Sequence, residues 1–457
     1  MTEQVFDLIV LGGGNAITVG IRAAKEGKSV AIIEKDRLGG TCPNRGCIPS
    51  KLLIGFADVA AGIRGAKRFH IDASIEGVDR DAIFRETKAA TFDVTDGKIA
   101  ANLPEGVTLV RGHGRFVAPR TLEVKGQRLR AATVIVATGT RPDVPDRQDL
   151  AGLPIWTSDD VFELEQVPES IAIVGGGYIA CELAHVFASL GVRTIQIVRS
   201  ERLLRQEDDE IAAVFDEGYT QHVDVRKSCQ IDSVRHGQDG FSIGLVGNGK
   251  SHQIEVEALL FATGRNPNCD DIGLDAAGIA RDDRGFIRVD DHLRTNADGV
   301  FALGDVKGGY QFTHAAAWEA TYLGNCLFDR HEAPLDYGPM PHAVFSYPEI
   351  AGVGQTEREL KASGTPYVAT SLPYTSAAKG RAVKEQHGRC KFLLAPSGEI
   401  LGCHIVGHEA SVLLHEVIPV MKWKNHISSL TGIIHIHPSL SEVVRNCARK
   451  AEASLTA

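Results

Sequence analysis

Two cysteines, Cys42 and Cys47, are separated by four residues in the segment 39–51, which reads GGTCPNRGCIPSK. Such a pair can close a small disulfide ring and reopen it. A thiolate near a helix start and near Lys51 is stabilised, which lowers the thiol pKa and makes the sulfur reactive. The alternatives are half of a metal site or two unrelated buried thiols. A metal site needs a second ligand cluster, and the only candidate is a C-terminal His-x-His. We therefore predict a redox-active pair and no metal.

The elements that position this pair follow from a repeat. Segments 7–34 and 170–199 both show an apolar strand, a glycine cluster, a helix with small residues and a second strand. Each pattern predicts a βαβ unit in which backbone approaches a pyrophosphate at a helix N-terminus. One glycine cluster is weak support, but an apolar strand ending in Ala-Thr-Gly follows each, at 137–139 and 262–264. The chain is therefore predicted to be α/β, with two Rossmann-like dinucleotide-binding domains.

Turn-forming residues indicate where these domains begin and end. The stretch 139–146 reads as a linker, and a second boundary follows 264–268. Beyond residue 341 strands and helices are mixed, without a glycine fingerprint, which predicts a separate α+β domain. The predicted limits are 1–145 for the first dinucleotide-binding domain, 146–270 for the second, 271–341 for a central part that completes the first, and 342–457 for a C-terminal interface domain.

Composition narrows the function classes. A chain of 457 residues is long enough for roughly three or four packed units. Its net charge of -9 argues against a nucleic-acid partner or an anionic membrane surface, since both need clustered Lys and Arg. Nine scattered cysteines do not resemble a secreted disulfide framework. Without a signal-like N-terminus or an apolar run long enough to span a bilayer, we expect a cytoplasmic protein with no membrane partner.

A family resemblance covers essentially the whole chain. The segment 39–51 and the C-terminal segment 435–442, which reads HIHPSLSE, together resemble the pyridine nucleotide-disulfide oxidoreductases. This family includes dihydrolipoamide dehydrogenase, glutathione reductase and mycothione reductase. The resemblance implies a flavoenzyme that binds FAD and a nicotinamide nucleotide and acts on a small-molecule disulfide or dithiol.

The resemblance also implies roles for residues near the cysteines. Cys47 would be the sulfur nearer the flavin, and Cys42 the sulfur that exchanges with the substrate. Lys51 would sit near the flavin and pair with Glu182. Tyr178 would be a lid over the nicotinamide site.

The same resemblance assigns an acid/base to the C-terminal segment. His437 would protonate the leaving thiolate, oriented by Glu442, because an imidazole held by a carboxylate carries protons near pH 7. In this family the base comes from the opposite subunit, so the resemblance implies a homodimer.

FAD is expected in the first unit. Gly12 and Gly14 would lie at the pyrophosphate, and Glu34, at the end of the second strand, would accept from the adenosine ribose. Asp305 matches a second FAD signature of the family. The remaining predicted contacts are Gly40, Thr41, Lys51, Thr138 and Gly139.

One departure concerns the first glycine turn, GGGNAI. The last glycine of the G-x-G-x-x-G pattern is absent, and the run from the turn into the following helix is one residue shorter than expected. Either Ile17 stands where the small residue belongs, or a residue is deleted and Ala16 fills that role.

The nicotinamide nucleotide is expected in the second unit. An acid at the end of its second strand would favour NAD, but this chain has Arg199 and Arg205 there. Arginine suits a 2′-phosphate by charge and by bidentate geometry. The alternative is a solvated basic turn partly neutralised by Glu201. We favour NADPH over NADH, and the other predicted contacts are Gly175, Gly177, Tyr178, Ala180, Glu182 and Gly264.

The function predicted from these features is NADPH-dependent reduction of a low-molecular-weight disulfide of the mycothione or glutathione type. The close alternative is dihydrolipoamide dehydrogenase activity with NAD, because residues 45–51 and 435–438 look most like that enzyme. A remote alternative is a redox-sensing flavoprotein without turnover.

Overall fold

The computed structural model describes residues 3–247 and 249–455, so the outermost residues of the predicted domain limits and residue 248 lie outside the described residues. Within these ranges the strands are β1 Glu3–Leu11, β2 Val30–Glu34, β3 Val107–Arg111, β4 Arg115–Ala118, β5 Thr121–Val124, β6 Gln127–Val136, β7 Thr140–Pro142, β8 Trp156–Thr157, β9 Ser170–Val174, β10 Arg193–Ile197, β11 Asp224–Arg226, β12 Cys229–Gly237, β13 Gly240–Gly247, β14 Lys250–Val256, β15 Ala258–Phe261, β16 Arg265–Pro267, β17 Val300–Ala302, β18 Pro341–Val344, β19 Ile350–Gly354, β20 Val368–Pro373, β21 Arg389–Leu394 and β22 Ile400–Val406. The α-helices of the same ranges are α1 Ile17–Lys25, α2 Thr41–Arg45, α3 Cys47–Arg64, α4 Arg80–Ala101, α5 Ser158–Val161, α6 Tyr178–Ser189, α7 Asp209–Tyr219, α8 Thr313–Phe328, α9 Glu357–Ser363, α10 Ala378–Ala382, α11 Ala410–Leu414, α12 Val417–Trp423, α13 Ser428–Thr431 and α14 Ser441–Ala453.

The first unit is built on a parallel sheet. Its strand order is β3-β2-β1-β6, and β17 joins β6 in the same direction. β5 and β4 continue antiparallel from the other half of β6. Ile9 and Leu11 are buried in one apolar cluster and Leu8 and Val10 in another, so both faces of β1 are covered. Burial on both faces explains why the strand reads as a continuous apolar run.

The second unit repeats this plan. Its sheet has the order β11-β10-β9-β15-β8, with every neighbour parallel. An antiparallel meander, β12-β13-β14, is inserted before β15. Helix α6 follows β9 and is almost entirely buried.

The chain crosses between the two units twice, and the two crossings lie side by side. β7 leaves the first unit and β16 returns to it, and the two pair antiparallel with Asn266 opposite Arg141. The backbone N–H of Asp143 also donates to the carbonyl of Gly264 at 2.9 Å. The second unit is therefore inserted into the first.

The C-terminal domain is an antiparallel sheet with helices packed on it. The strand order is β18-β19-β22-β21-β20. Phe392 and Ile405 of the sheet and Val443 and Val444 of α14 share one buried cluster. The predicted fold class, two Rossmann-like domains with a C-terminal α+β domain, is confirmed.

One helical stretch bears on the expectation that no apolar run spans a bilayer. By length and composition alone, the helical stretch Thr41–Arg64 is long and apolar enough to cross a membrane, since 18 consecutive residues within it have a mean hydropathy of 1.4. The core helix of a globular protein passes the same test. Gly46 divides this stretch into α2 and α3, and Leu53 and Ala57 of α3 are fully buried against the core of the second unit.

Candidate dithiol and dinucleotide site

One large cavity brings most of the predicted site residues together. Its volume is about 2480 Å³, more than twice the roughly 300–1,000 Å³ of ordinary ligand pockets. The predicted residues that line it are Gly12, Gly14, Glu34, Gly40, Thr41, Cys42, Cys47, Lys51, Thr138, Gly139, Gly175, Gly177, Tyr178, Glu182, Arg199, Arg205, Gly264 and Asp305. A space of this size can hold two dinucleotides.

Three predicted residues lie elsewhere. Ala180 is fully buried, and a Cβ added to Gly175 would lie 3.3 Å from its methyl group, so Ala180 packs beneath the glycine turn instead of facing the cavity. His437 and Glu442 are not among the described residues that line the cavity. Within one chain, therefore, the structure does not bring the predicted acid/base to the cysteines.

The first glycine of each turn has a similar conformation and the same kind of close neighbour. Gly12 has φ +112°, and a Cβ there would lie 2.2 Å from the carbonyl oxygen of Ala137. Gly175 has φ +141°, and a Cβ there would lie 2.3 Å from the carbonyl oxygen of Ala262. Only glycine fits either position, because both the backbone conformation and the space exclude a side chain. Each turn thus presents bare backbone to the cavity, as a pyrophosphate requires.

The first turn fits FAD at its acidic end as well. Glu34 accepts hydrogen bonds from the backbone N–H groups of Gly13 at 2.6 Å and Asp36 at 2.7 Å, which fixes its carboxylate at the cavity wall. Asp305 accepts from the Thr140 hydroxyl at 3.0 Å, and burial raises its pKa. These held carboxylates suit the hydroxyl groups of a ribose or a ribityl chain.

The helices after the two turns begin differently. α6 begins directly after Gly177, and the Cys181 N–H donates to the Gly177 carbonyl in the α-helical pattern. α1 begins three residues after Gly14, and the bond from the Ile17 N–H to the Gly14 carbonyl spans only three residues. Ala16 is fully buried at the start of α1. The shortened first turn is therefore tighter than the second.

The cysteine pair lies where α2 meets α3. Both sulfurs are free thiols; Cys42 is half-buried and Cys47 is exposed to the cavity. The pKa of Cys47 is lowered to about 6, chiefly by a hydrogen bond from Cys42; burial opposes this shift, while Thr313 and Lys51 add to it. The pKa of Cys42 is raised, by its hydrogen bond to Cys47 and by burial. The reduced pair therefore holds one thiolate, on Cys47, and one thiol, on Cys42.

Thr313 was not predicted from the sequence. Its Oγ1 lies 3.5 Å from the Cys47 sulfur, at the first residue of α8. The partially positive end of an α-helix adds to the stabilisation of a nearby anion. The contact joins residues 266 positions apart, so no local pattern could have revealed it.

Lys51 and Glu182 form an ion pair beside the cysteines. Lys51 Nζ lies 2.8 Å from Glu182 Oε2 and 4.4 Å from the ring centroid of Phe345. The Phe345 N–H donates to Glu182 Oε1 at 3.0 Å. This pair joins α3, α6 and the C-terminal domain at the centre of the cavity.

The arginines at the end of β10 face the same cavity. Arg199 and Arg205 are exposed, and neither guanidinium forms an ion pair with a residue of the ranges 3–247 and 249–455. Arg202, between them, pairs with Asp209 at 2.7 Å. Two unneutralised guanidinium groups at the end of a nucleotide-domain strand provide donors for a phosphate.

His437 and Glu442 lie on a different surface. His437 Nδ1 is 3.0 Å from Glu442 Oε1, and the hydrogen bond from His437 is the main cause of the lowered pKa of Glu442. The imidazole is 72% exposed, so Nε2 is directed away from its carboxylate partner. Large apolar side chains around it are exposed, with Ile434 at 101% and Ile436 at 80%. Exposed apolar side chains of this kind are typical of protein interfaces.

Two dinucleotide-binding domains with a dithiol in the cavity between them define an oxidoreductase that moves electrons between a nicotinamide nucleotide and a disulfide. The comparisons agree. The profile described as pyridine nucleotide-disulphide oxidoreductase matches residues 6–320, and the dimerisation domain of the same family matches residues 340–448. The chain belongs to this family, and it is an FAD-dependent enzyme that uses a pyridine nucleotide.

The similar proteins have different substrates in their names. A dihydrolipoyl dehydrogenase of Chlamydia muridarum is 30% identical over 96% of this chain and 96% of its own. A mycothione reductase of Mycobacterium tuberculosis is 34% identical over 97% of this chain and 98% of its own. The Cu(II) complex of the HOCl-induced flavoprotein disulfide reductase RclA from Escherichia coli superposes with a TM-score of 0.87 over 98% of this chain and 100% of that one, at 26% identity. The family is thus shared, and the substrate differs.

Proposed function

We propose that this protein is an NADPH-dependent reductase of a low-molecular-weight disulfide of the mycothione or glutathione type. The observation that carries this proposal is the placement of an asymmetric thiolate and thiol pair in one cavity with two glycine turns, one followed by Glu34 and the other by Arg199. The overall exchange takes NADPH, a proton and one disulfide to NADP+ and two thiols.

The choice of NADPH rests on the end of β10. Arg199 and Arg205 have no acidic partner within the described ranges, and both line the cavity. A 2′-phosphate would supply the missing anion, whereas the 2′-hydroxyl of NADH would leave both guanidinium groups unpaired.

The residues present fit FAD on the first turn, with Gly12 and Gly14 at the pyrophosphate, Glu34 at the adenosine ribose and Asp305 further along. FAD held by these residues would supply the redox step, as an acceptor of hydride from the nicotinamide and a donor of the electron pair to the Cys42–Cys47 disulfide. The chain's own contribution is to orient the two ligands, to hold the Lys51–Glu182 pair between them and to stabilise the Cys47 thiolate.

Disulfide exchange then starts at Cys42. Because this sulfur holds the proton of the pair, a base must remove it before attack. We assign that role to His437 of the partner subunit, whose Nδ1 is held by Glu442 and whose Nε2 accepts the proton. The Cys42 thiolate forms a mixed disulfide with one substrate sulfur, and the imidazolium returns the proton to the departing thiolate.

Cys47 completes the turnover. Its thiolate attacks the Cys42 sulfur of the mixed disulfide, the second substrate sulfur leaves as a thiolate that takes its proton from solvent, and the Cys42–Cys47 disulfide forms again. A sulfur whose pKa is near 6 stays ionised at neutral pH, so it is ready for this step without a base.

A homodimer is part of the proposal. The C-terminal domain leaves Ile434 and Ile436 exposed next to His437, and a second copy of the chain would bury these side chains. The same contact would place His437 of each subunit at the cavity of the other subunit.

Oxidation of a dihydrolipoyl group with NAD is the second candidate. The same residues would catalyse this reaction in the reverse direction, and the 30% identity to dihydrolipoyl dehydrogenase favours it. Steady-state rates with NADPH and NADH against mycothione, glutathione disulfide and lipoamide separate the two. We expect the highest kcat/KM for NADPH with mycothione or glutathione disulfide; preference for NADH and lipoamide would establish the second candidate instead.

The thiol chemistry is tested by Cys42→Ser. We expect this variant to keep bound FAD and to lose disulfide turnover by at least about 1,000-fold, because the exchanging sulfur is gone. Cys326→Ser is the matched control, since Cys326 is a half-buried cysteine of α8 that does not line the cavity. Full turnover by Cys42→Ser would overturn the assignment.

A further inference from the structure

A row of polar residues crosses the whole C-terminal sheet. Register places one residue of each of the five strands directly opposite the next, so their side chains share one face. In strand order the row is His342, Gly352, His404, Lys391 and Ser371. A Cβ at Gly352 would lie 2.8 Å from both neighbouring imidazoles, so glycine makes room for the two rings.

An acidic segment of the second unit docks on this row. The segment precedes and begins α7, and three of its carboxylates contact members of the row. Glu207 lies 2.9 Å from His342, Asp208 lies 2.8 Å from Lys391, and Glu210 accepts from Ser371 at 2.6 Å. These contacts fix the nucleotide-binding unit on the C-terminal domain.

The inner end of the row reaches the cavity. Glu207 has a fully buried side chain, and its second carboxylate oxygen accepts the Tyr178 hydroxyl at 2.7 Å. The Tyr178 and His342 rings both line the cavity, with centroids 6.1 Å apart and planes within 5°. A buried carboxylate needs both donors, because an unpaired charge in the interior is costly. Tyr178 is therefore anchored from behind, with its ring held against the cavity wall.

We propose that Glu207 and His342 are positioning residues that hold Tyr178 at the wall and keep the nicotinamide end of the cavity open. Released from Glu207, the half-buried ring is free to turn into the space that the nicotinamide needs. The inference rests on the proposed function in one respect, the nucleotide on the second glycine turn; Tyr178 follows that turn directly, so the nicotinamide would lie beside it. It also means that the C-terminal domain serves the nicotinamide end of its own chain, through His342.

The test measures reduction of the holoenzyme's flavin by stopped flow, with whichever nucleotide reduces the wild type. Tyr178→Phe and Glu207→Leu should each raise the nucleotide concentration for half-maximal reduction about tenfold, the effect of one hydrogen bond to a charged group. The double variant should be no worse than either single variant, since both remove the same bond. Tyr178→Phe removes a single oxygen, so it decides the matter if Glu207→Leu does not fold.

Two measurements and one control variant separate a positioning role from a general loss of structure. The Kd for the adenosine half of that nucleotide, 2′,5′-ADP for NADPH or ADP for NADH, should stay within about twofold of wild type, as should the rate at which dithiothreitol reduces the cysteine pair. Glu210→Gln is the matched control: it removes the carboxylate charge that pairs with Arg389 and Lys391 and should lower Tm, yet leave half-saturation unchanged.

Unchanged half-saturation in Tyr178→Phe, additive effects in the double variant, or an equal effect of Glu210→Gln would each overturn the inference. A wild-type enzyme that neither nucleotide reduces would instead refute the proposed function, so the two failures are distinguishable.

Discussion

The two dinucleotide-binding units share a scaffold and diverge at one place. In both, the first glycine of the turn packs against an alanine carbonyl at the end of an Ala-Thr-Gly strand. A Cβ added to that glycine would lie 2.2 Å from the carbonyl oxygen in the first unit and 2.3 Å in the second. After the second strand the units part: β2 leads into the cysteine segment of α2 and α3, whereas β10 leads into Arg199, Arg205 and the acidic segment that docks on the C-terminal sheet. The scaffold sets where a dinucleotide can lie, and the segment after the second strand sets what it does there.

The largest expected effect tests the shared scaffold. Gly12→Ala should give protein without FAD, and Gly175→Ala should keep FAD but lose reduction by the nucleotide. Each change adds a Cβ at a positive φ and against a carbonyl oxygen, a cost of about 3 kcal/mol or at least about 100-fold in binding. Flavin absorbance per protein and nucleotide titration measure the two losses.

Gly62→Ala is the control for this pair, because a Cβ there meets no atom within 4 Å and the residue is helical. It should leave both ligands bound. Equal loss of both ligands in Gly12→Ala and Gly175→Ala would show that the two turns do not act separately.

A smaller effect is expected where the units diverge. Arg199→Glu should lower the ratio of kcat/KM for NADPH over NADH by about 30-fold, since it removes one charge-assisted hydrogen bond of about 2 kcal/mol and adds repulsion. Arg202→Gln should change the ratio less than about threefold, because the Arg202 guanidinium already pairs with Asp209. An unchanged ratio in Arg199→Glu would contradict the NADPH proposal.

The smallest effect concerns the cysteine segment. In the reduced protein, alkylation of Cys47 by iodoacetamide should rise with pH through about 6, because its pKa is lowered and the thiolate is the reactive form. Thr313→Val removes one hydrogen bond to that thiolate, so the midpoint should move upward by about one pH unit. Mass spectrometry of the labelled peptide follows the reaction.

Thr321→Val is the matched control on the same helix, since the Thr321 hydroxyl bonds to its own helix at Ala317. A midpoint in Thr313→Val that stays or falls would show that Thr313 does not stabilise the thiolate.

The fold and the family could be predicted from the sequence because their signals are local. A glycine turn, an apolar strand and a cysteine spacing each lie within about 30 residues, and their physical reasons act at that range. The roles of the predicted site residues stay predictions. Cys42 and Cys47 lie five positions apart, but the threonine beside them comes from residue 313, and Glu207 meets His342 across 135 positions.

Long-range contacts depend on how complete domains dock, and no short pattern records that. The polar row is an example, because each strand contributes only one residue to it. Lys391 lies between Cys390 and Phe392 in a strand that, after Arg389, otherwise consists of apolar residues. Only the register of four strands shows that Lys391 and His342 belong to one surface.

The paired crossing of β7 and β16 has a consequence for modularity. The inserted unit enters and leaves through adjacent strands, held by the bond from the Asp143 N–H to the Gly264 carbonyl. A domain whose two ends are neighbours can be exchanged without rearranging the domain into which it is inserted. The host domain contacts only these two ends of the chain, and their positions do not depend on the residues between them. A graft at these strands would therefore replace the nucleotide specificity of this enzyme while leaving its dithiol chemistry in place, provided that the graft keeps the acidic segment that docks on the C-terminal sheet.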